Sequence, residues 1–192
     1  MNRSVGLACF AAILAFALPA HAHTGHGAEG FVAGLAHPVF GPDHLLAMLA
    51  VGLWAGLIGG PSLWVWPASF VAAMLAGGVL GLGGIELPVV ELVTVGSVVA
   101  LGAAVALDFR PHVALGAAAI AVFGLAHGNA HGLEAPADAS GIAYAIGFLL
   151  ATAALHGVGL GLAALTRRDY AARLTRALGA LLALAGLALF AG

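Results

Sequence analysis

Apolar residues run along this chain in long blocks, separated by short stretches of Gly, Pro, His and scattered charges. The block from about Leu63 to Leu82 has the ~20 residues needed to cross a bilayer as a helix. Others run from about His44 to Ile58, from Leu87 or Val90 to Leu107, from His112 to His127, and from Ile142 to Leu165. A last block ends near Phe190. The pattern predicts an all-α polytopic membrane protein with six transmembrane helices. Gly59-Gly60-Pro61 predicts a tight turn, and Trp64 with Trp66 at the start of the second span are expected as interface anchors. Gly78, Gly102, Gly116, Gly147, Gly159 and Gly161 lie inside apolar blocks, where small residues let membrane helices approach closely.

Two shorter apolar pieces precede the first span. Arg3, the run Val5 to Leu18, Pro19 and the Ala20-His21-Ala22 site together predict a cleaved signal peptide over residues 1–22. The remaining segment, 23–192, is then one six-helix transmembrane permease-sized domain, opening on His23-Thr24-Gly25-His26. Phe31 to Ala36 is expected to be a re-entrant or interfacial piece leading into the first span. Pro38, Gly41 and Pro42 are expected to interrupt any helix between them.

Composition sharpens this picture. The chain is 62% hydrophobic with 7% charged residues, against ~25% in a soluble domain. Its mean hydropathy is +1.10. A net charge of -2 argues against nucleic acid as a partner. Cys9, the single cysteine, lies in the signal segment, so neither a disulfide nor a thiolate metal site can form within the mature chain. All six cations are Arg. Arg110 falls after the third span, and Arg167, Arg168, Arg173 and Arg176 after the fifth, which predicts that these connections face the cytoplasm. Glu86, Glu134 and Asp138 fall in the other connections. The expectation is a bacterial inner-membrane protein with both termini outside.

Against this apolar background the ionisable groups stand out, because they are expensive at membrane depth. His37-Pro38-Val39-Phe40-Gly41-Pro42-Asp43-His44 places two imidazoles and a carboxylate at the outer mouth of the first span. Asp43 can also serve as that helix's N-cap. Met48, four residues after His44, is a packed apolar residue or a soft secondary ligand. His127 and His131 are four apart and would share a face if the helix continues, with Glu134 as ligand, orienting partner or loop charge. His156 lies deep in the fifth span, one turn after Thr152, and is read as a pathway residue. His112 is read as interfacial. His23 and His26 could form a capture arm for a divalent ion. Imidazole and carboxylate together suit first-row divalent metals.

These residues resemble a known family. His37-Pro38, Gly41, Asp43-His44, Met48 and Val51-Gly52 are similar to the HupE/UreJ signature H-P-x-x-G-x-D-H-x-x-x-M-x-x-V-G. Ala130-His131-Gly132 with Glu134, and the Leu155-His156 segment, resemble that family's later motifs. Phe123-Gly124 stands where the family has a Phe-His pair, and the extra histidine here is His127. The H-x5-D-H spacing also resembles the H-x4-D-H helix of nickel/cobalt permeases. The resemblance implies six spans after a cleaved signal and uptake of nickel serving hydrogenase or urease maturation, with cobalt or other divalent ions in some members.

The reading is a permease for a divalent transition metal, nickel first, with Co, Zn or Cu chemically admissible. Its metal-handling residues are His37, Asp43, His44, His127, His131 and His156. No permanently bound cofactor is expected. The ion and the lipid bilayer are its partners, and homo-oligomers are left open. Two rivals share these residues: a membrane cytochrome subunit with axial histidines on facing helices, and an intramembrane zinc hydrolase with Asp43 as base.

Overall fold

A computed structural model describes residues 27–135, 140–165 and 171–191. The signal segment, His23, His26, Asp138, Arg167 and Arg168 lie outside the described residues. Within them the chain is all helical: α1 Gly27–Phe40, α2 Pro42–Ile58, α3 Ser62–Leu82, α4 Val90–Ala106, α5 Val113–Glu134, α6 Ser140–Leu165 and α7 Ala171–Ala191. Four of these, α3, α5, α6 and α7, are long and apolar enough to cross a membrane. α1 and α2 together pass the same test as one span bent by 76°. α4 is apolar but has 17 residues, so it is ~26 Å long.

The break between α1 and α2 is narrower than the sequence suggests. Pro38 lies inside α1 rather than ending it. It occupies the last turn, where a missing N–H costs one hydrogen bond and few residues follow to be displaced. The chain turns only at Gly41, which is extended at φ -80°, ψ 107°. Pro42 imposes that conformation on the residue before it and then starts α2 at a position whose N–H needs no intrahelical partner.

Glycines set the helix pairing. α3 and α5 run side by side because Gly128 and Gly132 of α5 press on the backbone of Met74 and Gly78. α2 and α6 interlock in the same way: Gly52 faces the His156 carbonyl, and Gly159 faces Leu49 and Leu53. A β-carbon at any of these positions would collide with backbone. α1 also packs on α6, and α7 on α4. Gly161, expected to pack similarly, faces open space.

At the end of the bundle formed by the C-terminus of α2 and the start of α3, Trp54 and Trp66 lie 4.4 Å apart. Their indole N–H groups donate to Phe109 O and Val113 O, each at 2.9 Å. Trp66 is therefore a fully buried core residue, not the interface anchor expected from its place near the helix start. Its indole found a buried acceptor, which position in sequence does not reveal. Trp64 is 68% exposed, as an anchor should be.

Candidate metal centre

The turn at Gly41 places the last turn of α1 beside the first turn of α2. His37 and His44 face each other with ring centroids 6.2 Å apart, edge to face. Asp43 does not cap α2. The N-cap is Gly41, and no side chain bonds the free N–H groups there. The carboxylate is engaged elsewhere: Asp43 Oδ1 lies 2.9 Å from His44 Nδ1. Its charge still sits in the first turn, where the helix dipole favours it.

α5 continues as helix beyond His127 to Glu134, so the expected span end at His127 is seven residues short. Gly128 and Gly132, whose type suits either close helix packing or an irregular backbone, serve here as packing residues within a continuous helix. The uninterrupted helix keeps His127 and His131 on one face, one turn apart. Both point at α2. His127 Nδ1 lies 2.8 Å from His44 Nε2. His131 Nε2 contacts the same His44 atom. His44, His127 and His131 are all buried.

The outer hydrogen bonds of these rings fix where their protons sit. His44 Nδ1 faces a carboxylate, so it carries the proton and Nε2 presents a lone pair. His127 Nε2 lies 2.9 Å from Ser97 Oγ of α4. Ser97 has one hydroxyl proton and donates it to Thr94 O at 2.6 Å. It must therefore accept from His127 Nε2–H, which leaves Nδ1 of His127 as a lone pair. His131 Nδ1 lies 3.6 Å from Glu134 Oε2, beyond hydrogen-bond reach, and has no hydrogen-bond partner among the described residues. The facing atoms His44 Nε2 and His127 Nδ1 thus present lone pairs with no proton of their own between them. Such an arrangement is repulsive until a cation enters it.

A second group lies towards the end of the bundle carrying Glu134. His37, His131 and Glu134 each offer a ligand atom, all within 4.8 Å of one another. His131 belongs to both groups. Glu134 is exposed and His37 half-buried, so this group opens outwards while His44 and His127 close the inner one. Tyr144 and Phe148 of α6 stack around His37, and Phe148 also contacts His131. A cleft of about 130 Å³ between α3, α5 and α6 reaches His131 beside them.

His156 is not in this cluster. It packs on Gly52, two turns further along α2 than His44, hence ~12 Å deeper. Its ring lies edge-on to Phe70, whose ring also touches His127. Neither nitrogen of His156 has a hydrogen-bond partner among the described residues. Thr152 does not reach it; its hydroxyl lies 4.0 Å from Met74 Sδ. Met48 is wholly buried in the apolar core. His112 is exposed and caps α5, with Nδ1 accepting from Ala114 N.

Two participants escaped sequence reasoning. Ser97 is one of two hydroxyls in an apolar span, and its one signal is the other, Thr94, three residues earlier. Asn129, wholly buried on α5 between the two histidines, accepts from Leu87 N at 2.9 Å and donates to Ile85 O at 2.7 Å. It pins the α3–α4 connection against the helix that carries His127 and His131. That residue type, unpaired in an apolar block, was the available signal.

A family profile described as "HupE / UreJ protein" matches residues 11–189. Protein HupE of Rhizobium leguminosarum bv. viciae is 44% identical over 182 residues, covering 94% of this chain and 95% of that protein. No solved structure matches.

Proposed function

The chain belongs to the HupE/UreJ family, and from that premise we propose that it is a membrane permease for a divalent transition metal ion, nickel first. One observation supports the reading: a nitrogen of His127 and one of His131 both reach Nε2 of His44, in a buried cluster between Asp43 and Ser97. Two cis imidazoles on one square-planar or octahedral ion, the geometries that suit nickel, at bonds of ~2.1 Å have nitrogens ~3.0 Å apart. The 2.8 Å gap between His44 and His127 reaches that separation with a shift of a few tenths of an ångström. Asp43 stands behind His44 and orients it, the usual arrangement for a metal-binding imidazole.

The ion enters at His37 and Glu134, passes to His131, and settles between His131, His44 and His127. His156 receives it further in. Neutral imidazoles bind firmly enough to admit the ion and release it more readily than thiolates would, which transport requires. Six crossings follow if the bent α1–α2 pair and the short α4 each count as one. The arginine bias then puts the Trp54/Trp66 end in the cytoplasm and the histidine cluster outside.

The rivals fit the geometry less well. A haem between axial imidazoles needs nitrogens about two metal bonds apart, ~4 Å, and leaves no room for a third imidazole. A hydrolase base must face the metal-bound water, but Asp43 is on the far side of the His44 ring. Uptake of Ni, Co, Zn and Cu into proteoliposomes, with and without a proton gradient, tests the reading. Nickel accumulation that disappears in His44→Ala and His131→Ala is expected. A wild-type protein that moves none of the four ions would overturn it.

A further inference from the structure

α4 contributes no imidazole and no carboxylate to the cluster, yet it touches the most buried ligand. Ser97 is wholly buried, and among the described residues its hydroxyl bonds two groups: Thr94 O at 2.6 Å and His127 Nε2 at 2.9 Å. We propose that Ser97 is a positioning residue that sets the tautomer of His127 and so keeps a lone pair aimed at the metal position. The proposal rests on the permease reading above and adds a residue to it.

The alternative tautomer shows why this matters. With its proton on Nδ1, His127 would donate to His44 Nε2 at 2.8 Å. The two rings would then satisfy each other and offer no lone pair to an ion. A buried N–H without an acceptor is costly, so whichever nitrogen has the better acceptor holds the proton. Ser97 supplies an acceptor at Nε2, and with its one proton on Thr94 O it cannot donate there, so the Nδ1–H tautomer would set the Nε2 lone pair against the Ser97 oxygen. The hydroxyl on α4 therefore keeps the pair open.

This separates a positioning role from a structural one. In Ser97→Ala the proton moves to Nδ1 and finds His44, so the metal-free fold loses little. Metal affinity falls, by about 10–100-fold as for other partners that orient a metal-binding imidazole. A merely structural serine predicts the opposite: a lower melting temperature, with affinity unchanged in the protein that remains folded.

The test uses the full chain in nanodiscs. Nickel affinity, metal-free melting temperature and the ¹⁵N signal of His127 are compared for wild type, Ser97→Ala, Ser97→Thr and Ser97→Val. Thr and Val are isosteric and differ in the hydroxyl, so they decide the matter even if Ser97→Ala folds poorly. The expected result is a protonated Nε2 and tight binding in wild type and Ser97→Thr, and a bare Nε2 with weakened binding in Ser97→Ala and Ser97→Val. Nε2 still protonated in Ser97→Val, or nickel affinity equal to that of Ser97→Thr, would overturn the proposal. If the wild type binds no nickel, the permease reading fails, and the Nε2 signal still decides whether Ser97 sets the tautomer.

Discussion

His44 is held from both sides: Asp43 grips Nδ1, and two imidazoles crowd Nε2. Asp43→Asn keeps an oxygen that can accept from Nδ1–H but removes the charge. Nickel affinity should fall about 10–100-fold, and uptake should collapse at normal membrane abundance. Near-normal uptake by that variant would refute the role given to Asp43. His156 makes the reverse case. A buried imidazole without partners costs about 1–3 kcal/mol, so His156→Leu should leave stability unchanged or raise it. Uptake should be lost while nickel still binds the outer cluster. Thermal melting, equilibrium binding and flux on one preparation would show it; undiminished flux would remove His156 from the pathway. Residue type made Asp43, His44, His127 and His131 legible in the sequence, since an apolar chain has little other use for them. Ser97 and Asn129 were not legible, because a hydroxyl or amide in a span has many satisfied environments. Only the fold shows which one it has.

At the level of elements, α3 and α6 were readable nearly to the residue, because Gly, Pro and charged residues bound their apolar runs in the sequence. The errors fell where one residue has two uses. Pro38 looked like a helix end and is a last-turn residue. Gly128 and Gly132 allowed either close helix packing or an irregular backbone, and packing is what they do: they are the surface on which α5 meets α3. Gly128→Val should therefore push α5 from α3, costing ~1–3 kcal/mol or more as an overpacked contact, and should weaken metal binding with it. Gly161→Ala, at a position facing open space, should change neither. A melting comparison of the two variants checks this; equal stabilities would mean the α3–α5 contact is looser than described.

For the whole molecule, the Ala20-His21-Ala22 site predicts His23 as the mature N-terminus, and the arginine bias predicts both ends outside the membrane. Intact-mass measurement and reporter fusions test that, and a cytoplasmic C-terminus would contradict it. Deleting residues 23–26 should lower uptake only at scarce metal, because a capture arm concentrates ions without forming the path. Loss at saturating metal would give the arm a larger part. The 83 residues that separate His44 from His127 have a further consequence, for biosynthesis. α2 leaves the ribosome carrying Asp43 and His44 well before α5 exists. Until then it is a 17-residue segment whose His44 lacks both imidazoles of α5, a poor substrate for the insertion machinery. Stable insertion of α2 therefore waits for α5 to dock, and nascent chains halted before Val113 should leave α2 open to external protease.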